Sequence, residues 1–207
     1  MPKIYFCEAE ELRAFWQRGI ALVTEKRREK AQRLLKEEDR LLSLGTGLML
    51  KTVLKISSDD GIKYNEHGKP YLEHGAYFSI SHSGGVAVLA VSESEIGVDI
   101  EKARKPKMGI ICRCFTDEEA ALAENSAESF TRLWTQKEAV LKLLGTGFSL
   151  SPKSFCLVPQ RKEYEALGMR FGIFCTEINN MPLSAAFCGS DSVFTIKKLS
   201  AEELLDG

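Results

Sequence analysis

AYFSISHSGGVAVLAVSESEIGVDIE, residues 76–101, decides how the rest of the chain is read. AYFSISHS and VAVLAVSE are strand-like runs separated by Gly84-Gly85, a pair suited to the positive-φ positions of a tight hairpin turn. EIGVDIE is a third strand-like run, which the short SES turn would set antiparallel to the second. Side chains alternate along a strand, so Val98 and Ile100 face one side while Asp99 and Glu101 face the other, about 7 Å apart along it. Two carboxylates at a strand end suit a hard cation such as Mg2+, which keeps several waters and shares its shell with phosphate. Exposed acid pairs are also ordinary surface features, so the pair alone does not decide.

Upstream lie a short strand, KIYFC, and two helical stretches near 24–37 and 38–56, with Gly45 and Gly47 interrupting the second. KYNEHGKPYLE is turn-rich and reads as a β-edge or loop. Downstream, KARKPK (102–107) is the best linker, which predicts halves at 1–103 and 104–207. FTDEEAALAE opens a helix with a capping box, Thr116 to Glu119. LWTQKEAVLKLLGTG (133–147) continues a second helix, with Ser126 as its N-cap and Gly145 as its stop. At 3.6 residues per turn, Phe130, Leu133, Trp134, Val140, Leu141 and Leu144 make one apolar stripe, and Lys137 falls in its middle. Either Lys137 packs its stem and sends its ammonium to water, or the stripe's edge lines a polar site. SFCLVPQ, MRFGIFCTEI, LSAAFCGS and VFTIKKL read as four short strands. The fold class is α+β, two similar halves of helices and antiparallel sheet.

The composition excludes several functions. No apolar run approaches the roughly 20 residues of a membrane span, and MPKIYFCEAEELRAFW lacks the layout of a signal peptide. A cytoplasmic protein with six free thiols is expected, since the cysteines form no disulfide framework and the three histidines are not spaced with them for zinc. A net charge of −1 gives no nucleic-acid signature, although KRREK (26–30) and KARKPK are locally basic. G-x-S-x-G, Walker and G-x-G-x-x-G motifs are all missing. An enzyme acting on phosphates would then take its nucleophile from a substrate. Glu138, flanked by Lys137 and Lys142, supplies a third carboxylate, and His82 closes the SISHS run.

These fragments occur together in an order that resembles the 4′-phosphopantetheinyl transferases of the Sfp-like, surfactin-synthetase-activating type. The resemblance rests on KRREK, EED (37–39), GKP (68–70), FSISHSG (78–84), IGVDIEK (96–102), FTDEE (115–119) and LWTQKEAVLKLLGTGFSL (133–150). It implies transfer of the 4′-phosphopantetheine arm of coenzyme A to a serine of an apo acyl or peptidyl carrier protein, releasing adenosine 3′,5′-bisphosphate. It also implies Mg2+, or Mn2+ in its place, on Asp99, Glu101 and Glu138, with Glu138 as general base and Lys142 beside the reacting phosphate. His82, Lys69, Lys30 and Lys26 would meet the coenzyme's phosphates, and Ser81 and Ser43 adjacent parts of it. Glu119 matches an acid sometimes placed near the metal, though its capping box accounts for it. The implied fold is monomeric, two pseudo-twofold-related α+β halves with coenzyme A between them. A non-catalytic coenzyme A-binding or carrier-docking protein is the alternative.

Overall fold

The computed structural model describes residues 1–189 and 193–207. The first part runs β1 (Lys3–Glu8), a 3-10 segment (Ala9–Phe15), α1 (Trp16–Leu22), α2 (Glu25–Arg33) and α3 (Glu37–Leu54). Then come β2 (Lys63–Tyr64), β3 (Pro70–Tyr71), β4 (Tyr77–Ser83), β5 (Val86–Ser92) and β6 (Ile96–Ile100). The second part holds α4 (Met108–Cys114), α5 (Asp117–Ala123), α6 (Ala127–Leu144), β7 (Tyr164–Ala166), β8 (Met169–Ile178) and β9 (Met181–Phe187). β10 (Thr195–Lys198) and α7 (Ala201–Asp206) follow. This is the α+β mixture expected, and no helix among the described residues is long and apolar enough to cross a membrane.

Two four-stranded sheets form, in the orders β10-β1-β5-β4 and β6-β9-β8-β7. The β4–β5 hairpin is as the sequence predicts, with Gly84 and Gly85 at φ 52° and 79°. β6 departs from the expectation. It pairs with β9 rather than with β5, so the chain leaves the first sheet between Ser92 and Ile96, ahead of KARKPK. β10 likewise returns to the first sheet and pairs in parallel with β1, so that sheet is not wholly antiparallel. SFCLVPQ forms no strand, and Ser190, at the end of LSAAFCGS, lies outside the described residues.

The burial pattern explains the layers. Ala87 and Leu89 of β5 face α3, while Val86, Val88 and Ala90 face the second sheet, where they meet Ile96, Val98, Ile100, Leu183 and Ala185. α6 packs on the far side of that sheet, and Ala139, Val140 and Leu143 join a further core with Phe171 and Ala186. The order is therefore helix, sheet, sheet, helix. α3 stays continuous through Gly45 and Gly47 because every residue from Leu41 to Leu50 is buried and tightly packed. A side chain at Gly45 would meet the Cys7 sulfur at 2.7 Å.

Candidate active site at the seam between the sheets

β4 and β6 are the edge strands of their sheets and lie side by side, yet no backbone ladder joins them. Serine hydroxyls do so instead. Ser79 Oγ accepts from the Val98 N–H at 3.0 Å, Ser81 Oγ from Ile100 at 3.4 Å and Ser83 Oγ from Lys102 at 3.0 Å. Amides that an edge strand would leave unpaired are thereby satisfied. The alternation that turns these serines toward β6 puts Ile80 and His82 on the other face of β4.

α6 is brought onto the seam by Gly97. A Cβ at that position would stand 2.1 Å from the Ala139 carbonyl oxygen and 2.3 Å from the Leu143 nitrogen. Only a glycine lets the helix backbone lie this close, and the residues just before those two atoms are Glu138 and Lys142. Lys142 Nζ spans both edges: it donates to Ile80 O at 3.3 Å, Val98 O at 3.0 Å and Asp99 Oδ1 at 2.7 Å.

Asp99 is buried, with Oδ1 shared by Lys142 and Ser81 Oγ (2.7 Å), while Oδ2 is buried without any hydrogen-bond partner. Glu101 accepts from Ser83 Oγ at 3.1 Å and stands 3.7 Å from the Arg104 guanidinium. Glu138 is pushed up to about 7, mainly by burial and then by the negative charge of Asp99, with Glu101 adding to it. The three acids thus share one electrostatic environment, although no group of three or more His, Cys, Asp and Glu among the described residues closes into a metal-holding cluster. The orphaned oxygen of Asp99, and a neighbouring Glu138 that resists ionisation, are of the chemistry that a hard divalent cation would complete.

Cations lead away from the acids. His82 stands at the exposed end of β4; partial burial of its ring, then the charges of Lys30 and Lys142, hold it below the usual imidazole value. Lys30 is lowered by burial and then by Arg27, which is itself lowered by burial. Arg27, Lys30, His82 and Lys142 therefore form a row from α2 across β4 to α6, ending on Asp99. Lys26 and Lys30 line a hollow of about 130 Å³ with Arg27, Asp59 and Tyr64. Arg27 was read only as part of KRREK and not singled out: among the described residues it makes no hydrogen bond or ion pair, and its i,i+3 spacing to Lys30 was the available signal. A cleft of about 240 Å³ opens beside the acids, lined by Glu138, Lys142, Lys69, Phe78, Ile80 and Phe148.

Other expected residues sit differently. Ser81 points into the seam, not into the cleft. Lys69 lines the cleft but gives its ammonium to Glu95 and to Leu143 O. Ser43 is buried in α3 with its hydroxyl unpaired and lines neither hollow. Lys137 neither snorkels nor borders the site. It is 0% exposed, and its ammonium meets Glu119 Oε2 at 2.7 Å, Pro152 O at 2.8 Å and Phe155 O at 2.6 Å, over the Phe155 ring. Glu119, also 0% exposed, accepts from Thr116 and Leu157 amides, and this buried pair occupies it fully.

Residues 95–185 match the family described as the 4′-phosphopantetheinyl transferase superfamily. A 4′-phosphopantetheinyl transferase of Bacillus subtilis is 33% identical, over 67% of this chain and 67% of its own. 4′-phosphopantetheinyl transferase Sfp of Bacillus subtilis strain 168 is 32% identical with the same two shares. 4′-phosphopantetheinyl transferase gsp of Aneurinibacillus migulanus is 33% identical over 50% of this chain and 46% of its own.

Proposed function

The chain belongs to the 4′-phosphopantetheinyl transferase superfamily, and on that premise we propose that it transfers the 4′-phosphopantetheine arm of coenzyme A to a serine of an apo acyl or peptidyl carrier protein. The observation that carries this is the row of cations running into the acid group at the seam. It is a track for a ligand with several phosphates, ending where a hard cation fits. Arg27 and Lys30 would take the outlying phosphate, and His82 and Lys142 the diphosphate, by charge-assisted hydrogen bonds.

Asp99, Glu101 and Glu138 would hold Mg2+, which when bound offsets the charge of the diphosphate and of the oxygen that departs. Glu138 lines the cleft beside Lys142, where a general base for the incoming hydroxyl would stand. It would take the proton of the carrier serine, directly or through a water. The serine oxygen then bonds to phosphorus, the bond from that phosphorus to the bridging oxygen breaks, and adenosine 3′,5′-bisphosphate leaves. Lys142 stabilises the departing charge from its place across the two edges. All these groups come from one chain, consistent with a monomer. Each sheet carries an 18-residue helix, α3 or α6, consistent with pseudo-twofold halves holding the coenzyme between them. KARKPK would meet acidic carriers by complementary charge.

The test is to mix the protein with apo carriers, coenzyme A and Mg2+ and to weigh the carriers intact. A gain of one phosphopantetheine arm, abolished by EDTA and by replacing the carrier serine, is expected. No gain on any carrier, with coenzyme A still bound by calorimetry, would overturn the transfer reading in favour of a non-catalytic coenzyme-binding protein.

A further inference from the structure

Three serines repeat one geometry along β4, and two of them do more than join strands. Counting along the seam, each serine accepts from the amide nineteen residues on: Ser79 from Val98, Ser81 from Ile100 and Ser83 from Lys102. The side chains eighteen residues on then face the same hydroxyls. For Ser79 this is Gly97, which has none; for Ser81 it is Asp99, bonded at 2.7 Å; for Ser83 it is Glu101, bonded at 3.1 Å. S-x-S-x-S on one edge is thus in register with G-x-D-x-E on the other.

The hydroxyl of Ser83 is used in both directions. One of its two lone pairs receives the Lys102 amide, and its single proton is directed at Glu101 Oε2. The other oxygen of Glu101, 3.7 Å from the Arg104 guanidinium, is left on the open side. Ser81 does the same to Asp99, tying down Oδ1 and leaving Oδ2 unpartnered. Lys142 also holds Asp99 Oδ1, whereas among the described residues the Glu101 carboxylate has one hydrogen bond, from Ser83.

We infer that Ser83, and Ser81 in parallel, are positioning residues that fix the rotamers of Glu101 and Asp99 so that each carboxylate offers one oxygen to a divalent cation. The inference rests on the metal role proposed above for those acids. A hydroxyl is what these positions contribute, since neither alanine nor glycine would orient a carboxylate. Hydrogen-bonding partners of metal ligands ordinarily tune affinity by roughly 10- to 100-fold. The third serine is an internal control, because Ser79 makes the same strand-to-strand bond with no carboxylate opposite it.

The experiment measures Mn2+ binding to the full chain, with coenzyme A present, by the loss of the free-ion resonance, alongside thermal melting. Ser83→Ala should weaken Mn2+ at least about tenfold, and Ser83→Thr, which keeps the hydroxyl, should restore most of it. Ser79→Ala should lower the melting temperature yet leave Mn2+ affinity within about twofold, as its hydroxyl meets no acid. Equal affinity in Ser83→Ala and the parent protein, or equal loss in Ser79→Ala and Ser83→Ala, would overturn the inference while leaving the metal assignment standing. If the parent protein bound no Mn2+, or Asp99→Ala bound it as well as the parent, the metal assignment would fall and the inference with it.

Discussion

Helix α6 carries two lysines that each pair with a carboxylate at 2.7 Å, and the pairs serve opposite ends. At Lys137–Glu119 the ammonium has three acceptors, and both carboxylate oxygens are bonded, since two amides donate to them besides. The pair knits α5, α6 and the segment 152–157 into one body. At Lys142–Asp99 the ammonium is also full, but Asp99 keeps one oxygen without a partner and faces a carboxylate raised to about 7. One pair is sealed inside the fold; the other keeps a carboxylate oxygen unbonded beside a cleft, which is where the proposal places the ligand.

The comparison is sharpened first at the acids. Asp99→Ala and Glu138→Ala should each cut transfer by about 10³-fold or more, since several kcal/mol of charge stabilisation goes with them. Glu138→Ala should melt close to the parent, as it relieves repulsion with Asp99, whereas Asp99→Ala should melt lower, because Lys142 and Ser81 lose their acceptor. Full activity in either would break the distinction. Lys137→Met should do the reverse and destabilise the fold by about 3–5 kcal/mol in urea titration, because Glu119 is left buried and unpaired. Lys137→Met with Glu119→Leu should recover much of that loss, which a role for Lys137 in ligand binding would not permit. Gly97→Ala should cost about 1–3 kcal/mol and reduce activity as well, because it pushes Glu138 and Lys142 off the seam.

The smallest effect is in pH. His82 has a folded pKa below its unfolded value, so the folded state binds fewer protons and stability falls as pH drops through about 6.5. The loss is complete below the folded pKa. His82→Asn should flatten this part of the melting-temperature profile, and an unchanged slope would remove His82 from the row of cations.

Much of this site was legible in sequence, and the limits have physical causes. The hairpin at Gly84-Gly85, the caps at Thr116 and Ser126 and the stop at Gly145 are local, set by residues a few positions apart, and all form as expected. Asp99, Glu101 and Glu138 were legible as acids of one neighbourhood, and the structure places them so. The partner of β6 was not legible, because EIGVDIE is apolar on one face whether it pairs with β5 or with β9 more than 80 residues on. Nor was the sealing of Lys137, whose partners Glu119, Pro152 and Phe155 belong to other elements. The same contacts bear on why SFCLVPQ is no strand: its Phe155 carbonyl and Leu157 amide are spent on Lys137 and Glu119 instead of a ladder.

The return of β10 to lie beside β1 has a consequence in time. Leu199, Ala201, Leu204 and Leu205 close the core beneath α3, and Thr52 bonds to Leu204 O. While the chain emerges from a ribosome, α3 and the first sheet stay open along that flank until residues 195–205 are made. Contacts this far apart in sequence slow folding, because the long loop must close before any of them forms. The sheet begun by β1 is closed only by residues far downstream, so a chain stalled before them would leave the leucines of α3 uncovered on that flank.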